Sequence, residues 1–308
     1  MLLTHKIGAL ELLLVVALGL TLSGCQAARQ DSVASSPARV LTDDSGRRVS
    51  LPARVDRVVS LAPNLTEIVF AVGAGDRLVG DTTYCDYPEA AKQIAKIGDT
   101  SNPSLEQIIS LKPQVVLVST ASQLEAFTQQ LESHQVAVFV TDPTDLEGVF
   151  RSIDQIGDIV NHSAEASQLV AQLRARALAV ENGVKNSQPV RVFYQVSAEP
   201  LYTAAHDAFV TDLMRRAGAI SVTADVPGAW PKYSAESALA ARPEAIILPT
   251  GGSMGAANSS VNEALRNTPA VLSGRVYKIN GDHLNRPGPR SVDGLEEMAR
   301  ALHPDPFK

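Results

Sequence analysis

The sequence predicts an α/β fold of two lobes with mainly parallel sheets, bridged by one long α-helix. Three observations carry this. From residue 57 onward, short β-branched runs alternate with helical stretches, the pattern of α/β units. A proline-free stretch, 165–183, places Ala166, Leu169, Val170, Leu173, Ala177, Leu178 and Val180 close to a 3.6-residue period, which reads as a long helix. A 14-residue pattern also occurs twice without gaps, Leu105-Glu-Gln-Ile-Ile-Ser-Leu-Lys-Pro-Gln-Val-Val-Leu-Val118 and Ala235-Glu-Ser-Ala-Leu-Ala-Ala-Arg-Pro-Glu-Ala-Ile-Ile-Leu248. Each copy is a short helix, a basic residue plus proline, and a buried strand. The copies lie 130 residues apart on either side of the long helix, which fits two similar lobes and not a solenoid. A single larger sheet with the long helix as a crossover is the alternative.

Residues 1–24 read as an export signal. Lys6 gives a positive start, and 12–22 is an apolar run of 11 residues, too short to span a bilayer. Leu22-Ser23-Gly24-Cys25 resembles a bacterial lipobox, with Cys25 diacylated after cleavage. Two acyl chains make such an anchor stable. Residues 25–56 are the lipidated cysteine and a tether, because 26–39 is rich in Ala, Ser, Gln and Arg without apolar period. Cys85 is then left unpaired.

The N-terminal lobe, 57–160, holds predicted strands at 58–61, 115–118 and 136–140 and helices at 65–72, 106–111, 124–133 and 146–159. Residues 161–188 carry the bridging helix, ended by a polar break at 186–189. The C-terminal lobe, 189–308, holds strands at 190–196, 246–248 and 276–279 and helices at 209–217, 235–241 and 294–302.

Composition narrows the function. The chain is 45% hydrophobic and 19% charged, an ordinary globular balance. Acidic residues outnumber basic ones, 33 to 27, so no basic excess exists to grip a phosphate backbone and nucleic acid is not an expected partner. There is no Walker loop or His-Glu-x-x-His, and the six histidines are scattered. A receptor is expected, not an enzyme, without a resident cofactor or metal.

Several residues stand out. Glu106 and Glu236 occupy equivalent positions of the repeat, each two residues after a serine. Taken alone they read as helix-dipole residues, worth about 0.3–1 kcal/mol. The other reading is a matched pair of anionic knobs for a two-fold partner carrying arginines. Ser104-Leu-Glu-Gln107 is a capping box, and Asn64-Leu-Thr-Glu67 shows a similar pattern that makes Glu67 structural. Tyr84, Tyr87, Tyr202, Trp230 and Tyr233 sit in loop-like positions near prolines, where they pack under loops or stack on a flat ligand. In the proline-stiffened loop 282–290, Arg286 or Arg290 is suited to gripping ligand carbonyls, amides or carboxylates.

Residues 57–67 (Arg-Val-Val-Ser-Leu-Ala-Pro-Asn-Leu-Thr-Glu), 73–80 (Gly-Ala-Gly-Asp-Arg-Leu-Val-Gly), 84–88 (Tyr-Cys-Asp-Tyr-Pro) and 104–113 resemble the periplasmic binding proteins of the iron-siderophore, heme and cobalamin ABC uptake transporters. The resemblance covers roughly 57–302. It implies a ligand cleft between the lobes, limited closure, and docking on an ABC permease dimer through Glu106 and Glu236. The chain looks closest to the cobalamin-binding branch, where Tyr84, Tyr202, Trp230, Asp282 and Arg286 match cleft-lining positions. Thr100 and Ser119 depart from it, since that branch often has tryptophan at both. The function implied is an extracytoplasmic, membrane-anchored lipoprotein that captures a corrinoid, cobalamin first, and delivers it to the permease. Heme, with Tyr84 or His283 on the iron, and a ferric siderophore are the alternative ligands. A metal-dependent hydrolase and a sensor lipoprotein are the rival classes.

Overall fold

The computed structural model describes residues 39–119, 125–252 and 260–307. The export signal, Cys25 and the tether up to residue 38 lie outside the described residues. Residues 39–51, which the sequence places in the tether, instead form an antiparallel hairpin of β1 (Arg39–Thr42) and β2 (Arg48–Leu51). Its turn closes on Asp43, whose carboxylate accepts from the Ser45 and Arg47 amides and from the Arg47 guanidinium. Burial alone would raise the Asp43 pKa, but these donors outweigh it and hold the group below its usual range. The hairpin is bound to the body, with Arg47 donating to the Val138 carbonyl at 3.0 Å.

Each lobe has its own parallel sheet. In the first, β3 (Val58–Ser60) lies between β4 (Leu78–Gly80) and β5 (Val115–Ser119), with β6 (Ala137–Thr141) outermost. In the second, β7 (Val190–Ser197) lies between β9 (Ala219–Ser221) and β10 (Ala245–Thr250), with β11 (Val276–Asn280) outermost. The orders β4-β3-β5-β6 and β9-β7-β10-β11 are the same. The two-fold repeat is therefore a property of topology, wider than the 14 residues in which the sequence shows it. The second lobe adds β8 (Tyr202–Thr203), antiparallel to the end of β7.

The helices are α1 (Pro63–Ala71), α2 (Leu105–Ser110), α3 (Glu125–Ser133), α4 (Leu146–Ile159), α5 (Ser163–Val184), α6 (Phe209–Arg216), α7 (Ala235–Ala240), α8 (Pro269–Leu272), α9 (Gly281–Asn285) and α10 (Ser291–Leu302). α5 is the bridge. Ala166, Val170, Leu173, Ala177, Val180 and Val184 face inward, while Leu178 is exposed. Gly157 of α4 allows close approach, since a Cβ there would come within 2.3 Å of the Ala166 Cβ. Arg174 of α5 pairs with Glu147 on α4, and Arg176 pairs with Asp293 and Glu296 on α10. One apolar core runs from Val58 through α4 and α5 to Ile247 and Leu302, so the bridge is packed into both lobes. Asp212 of α6 crosses between them as well, accepting from the Leu146 amide at the start of α4 at 3.0 Å. No helix of the described residues is long and apolar enough to cross a membrane.

Candidate functional site

In parallel α/β sheets, ligands bind in the loops beyond the carboxyl ends of the strands. Here those loops carry a concentrated set of side chains. The segment after β3 brings Asn64 and Glu67, that after β4 brings Tyr84, Asp86 and Tyr87, and that after β9 brings Trp230. Tyr202 opens β8, the short strand after β7, and Asp282, Arg286 and Arg290 follow β11. Tyr84, Tyr87, Tyr202 and Trp230 are 36–49% exposed, and among the described residues they are the only aromatics so exposed. Four large rings are thus left in solvent beyond the carboxyl ends of the strands, each with a face free for contact. Trp230 is firmly mounted. Its ring lies 6.4 Å from that of buried Tyr194, which donates to Asn285 at 2.8 Å, and residues 229 and 231 bond to Ala205 and Thr203. Tyr233, by contrast, packs inward on Phe193.

Beside Tyr84 and Tyr87 lies an ion cluster that joins the lobes. Glu67, 3% exposed, accepts from Arg286 Nη1 at 3.2 Å and from Arg290 at 2.8 and 2.5 Å. Arg286 also meets Asp86 at 2.8 Å, Asp282 at 3.2 Å and the Tyr84 carbonyl at 3.3 Å. Arg290 lies 4.0 Å from the Tyr87 ring centroid, a cation–π contact. Asn64 donates to the Pro287 carbonyl at 3.2 Å. Two arginines of the second lobe thus grip a carboxylate of the first, and the same guanidiniums fix the loop that displays Tyr84 and Tyr87. The capping role expected for Glu67 is overturned. α1 begins after Ala62, without a side-chain cap, and proline occupies its first turn. Residues 282–290 are also not one open loop, because the first part is the turn of α9. Asp282 and Arg286 are buried, at 5% and 4% exposure.

The Tyr84–Tyr87 loop has a second support. Lys96 Nζ donates to Asp81 at 2.7 Å and to the Cys85 and Ala91 carbonyls at 3.0 Å. Burial pushes the Asp81 carboxyl up to about 6, more than Lys96 pulls it down. Burial also raises the Cys85 thiol, which sits between the Thr66 and Thr82 hydroxyls.

Glu106 and Glu236 are exposed in the first turns of α2 and α7. Ser104 caps the Gln107 amide and Ser234 the Ser237 amide. The capping box is half made, since the Ser104 amide bonds to the Ile97 carbonyl. The Ser234 hydroxyl donates to Glu236 at 2.6 Å and lowers its pKa. Thr100 and Ser119 are half-buried. His283 turns to Glu297 at 2.9 Å. The structure thus gathers Tyr84, Asp282 and Arg286 into one network, with Trp230 tied to it through Tyr194 and Asn285. It adds Asp86, which the sequence reading does not select, and joins Glu67 across the lobes to Arg290, which loop position had marked, beside Tyr87. The only local signal for Asp86 is the string Asp86-Tyr87-Pro88.

Replacing Glu67 by glutamine removes the carboxylate that Arg290 pairs with, while Arg286 keeps Asp86 and Asp282, and removing one partner of a buried pair costs about 3–5 kcal/mol. Urea unfolding of Glu67→Gln should show a loss of about that size, and unchanged stability would mean the cluster does not hold the lobes. Asp81 titrates higher folded than unfolded, so its contribution to stability is fully present below about pH 4 and is lost as pH rises through about 6. Asp81→Asn should flatten the stability profile in that window, and an identical slope would assign the titration to another group.

Residues 58–282 match the family described as periplasmic binding proteins. The uncharacterized ABC transporter substrate-binding lipoprotein YvrC of Bacillus subtilis (strain 168) is 31% identical, covering 98% of this chain and 99% of its own. The periplasmic vitamin B12 binding protein BtuF of Vibrio cholerae superposes with a TM-score of 0.74 at 26% identity, over 83% of this chain and 100% of that one. A periplasmic heme binding protein from Pseudomonas aeruginosa superposes with a TM-score of 0.71 at 25% identity, over 81% and 93%. With family motifs, two-lobed fold and near-full-length similarity in agreement, the chain belongs to the periplasmic binding protein family, extracytoplasmic solute-binding proteins that work with ABC permeases.

Proposed function

We propose that the protein captures a corrinoid, cobalamin first, and delivers it to an ABC permease. The observation that carries this is the set of four exposed rings at the carboxyl ends of both sheets. A corrinoid has a broad apolar face and a periphery of amides. Tyr84, Tyr202 and Trp230 supply stacking faces, and Tyr87 extends them. Asp282 and Arg286 orient the amide periphery by holding the Tyr84 carbonyl and Asp86 in place. The likeness to the Vibrio cholerae protein supports the ligand class. In this reading no bond is made or broken. The lobes span 57–160 and 189–308, 161–188 carries the bridge, and diacylated Cys25 holds the protein at a membrane.

Heme is the second reading, favoured by the likeness to the Pseudomonas aeruginosa protein and by the exposed Tyr84 phenol, with a ferric siderophore behind it. His283 is the weaker iron ligand because Glu297 already engages its ring.

Calorimetric titration with cyanocobalamin and with hemin separates these ligands. Cobalamin should bind, and Trp230→Ala should weaken it by about 2 kcal/mol, roughly thirty-fold in Kd. Hemin binding without a cobalamin response would overturn the corrinoid assignment.

Docking is proposed through Glu106 and Glu236 on arginines of the permease dimer. The double variant Glu106→Arg and Glu236→Arg should keep ligand affinity and lose transport in reconstituted vesicles. Loss of ligand binding would instead make the pair structural.

A further inference from the structure

A six-residue helix does not hold its own shape or direction, because nucleation costs more than one turn of hydrogen bonds returns. α2 and α7 are both six residues long, and each buries one side chain completely, Ile108 in α2 and Ala238 in α7. Their orientation must come from what holds their ends.

Both lobes hold them with the same bonds. At the N-terminus, Ser104 and Ser234 cap the third helical amide. At the C-terminus, Arg57 Nη2 donates to the Leu111 carbonyl at 2.5 Å, and Arg191 Nη2 donates to the Ala241 carbonyl at 2.5 Å. The next residue is left-handed in each lobe, Lys112 at φ 49° and Arg242 at φ 46°, and a proline follows it. Then Gln114 and Glu244 return the chain to the same strand. Their amides donate to the Arg57 and Arg191 carbonyls at 2.9 and 2.8 Å. Their side chains accept from the Arg57 and Arg191 amides at 3.1 and 2.9 Å. Arg57 immediately precedes β3 and Arg191 is the second residue of β7, so the two arginines stand at the same point of the two sheets.

This agreement is closer than the sequence repeat. Of the 14 aligned positions only Glu106/Glu236 and Pro113/Pro243 are identical. The arginines lie outside the repeat altogether. An exposed guanidinium on a helix C-terminal carbonyl contributes little to global stability. Its reproduction in both lobes follows the shared glutamate.

We infer that Arg57 and Arg191 are positioning residues for docking: each locks its short helix to the first strand of its sheet, so that Glu106 and Glu236 meet a two-fold partner as a preset pair. This rests on the docking role proposed above. Setting the carboxylates in advance removes the ordering cost from the encounter, which is how preorganised surfaces gain affinity. A partner with two symmetry-related arginine pockets is the chemistry such a pair fits.

The test compares Arg57→Met/Arg191→Met, which keeps the aliphatic stems and removes the donors, with Arg57→Lys/Arg191→Lys and with Glu106→Gln/Glu236→Gln. The readouts are affinity for the purified ABC permease in nanodiscs, amide exchange over 105–112 and 235–242, and the unfolding midpoint. The methionine pair should dock at least ten-fold more weakly, exchange faster in those two segments only, and unfold within a few degrees of the parent. The lysine pair should recover part of the docking, since one donor of the fork returns. Parent-like docking by the methionine pair, with the glutamine pair impaired, would overturn the positioning role and leave the docking reading standing. Parent-like docking by the glutamine pair would overturn the docking reading and this inference with it. If the methionine pair fails to fold, each single methionine variant is measured, and parent-like docking by both would overturn the role equally.

Discussion

The contact on which the arrangement depends is that of Glu67 with Arg286 and Arg290. A carboxylate at 3% exposure would be costly to bury alone, and two guanidiniums beside it make it tolerable. Because the carboxylate belongs to α1 and the arginines follow α9, satisfying these charges requires the lobes to meet in one geometry. The cluster also reaches outward. Arg286 holds Asp86 and the Tyr84 carbonyl, and Arg290 underlies Tyr87. Lobe closure and the display of the first lobe's aromatics are therefore settled by the same five charged groups.

The bridge explains why this geometry is stable. α5 is buried along one side and ion-paired to α4 and α10, within a core continuous across both lobes. A flexible two- or three-strand hinge would let the lobes swing. A 22-residue helix packed on each side permits only small rotations, because wide opening would pull apart close-packed apolar contacts. On the first lobe the exposed rings are Tyr84 and Tyr87, while Thr100 and Ser119 are half-buried.

The candidate site was partly legible in the sequence. Tyr84, Tyr202 and Trp230 are few, near prolines and outside any helical period, so their loop position could be read, and the structure exposes all three. Arg286 was legible as a candidate from its proline-stiffened loop and Asp282 only through resemblance, and the burial of both was not legible. Glu67 is structural, as the sequence reading has it, but not as a cap, and for a definite reason. Asn-Leu-Thr-Glu is locally identical to a capping pattern, and what distinguishes it is a pair of arginines 219 and 223 residues away.

What the sequence determined by itself is the set of elements whose signal is local. β-branched runs gave six strands to within two residues, the 3.6-residue period gave the long bridge, and Ser104 and Ser234 marked two helix starts. Tertiary structure alone decided the rest. β4, β8 and β9 are two or three residues long and exist because a neighbouring strand offers them hydrogen bonds. The hairpin at 39–51 belongs to the body because Arg47 and Asp44 find carbonyls on β6. The common strand order of the sheets, the ion cluster and the arginine mounts of α2 and α7 are all contacts between distant segments. Periodicity reports how a segment meets solvent and core; it carries no information on which distant charge or carbonyl will stand beside it.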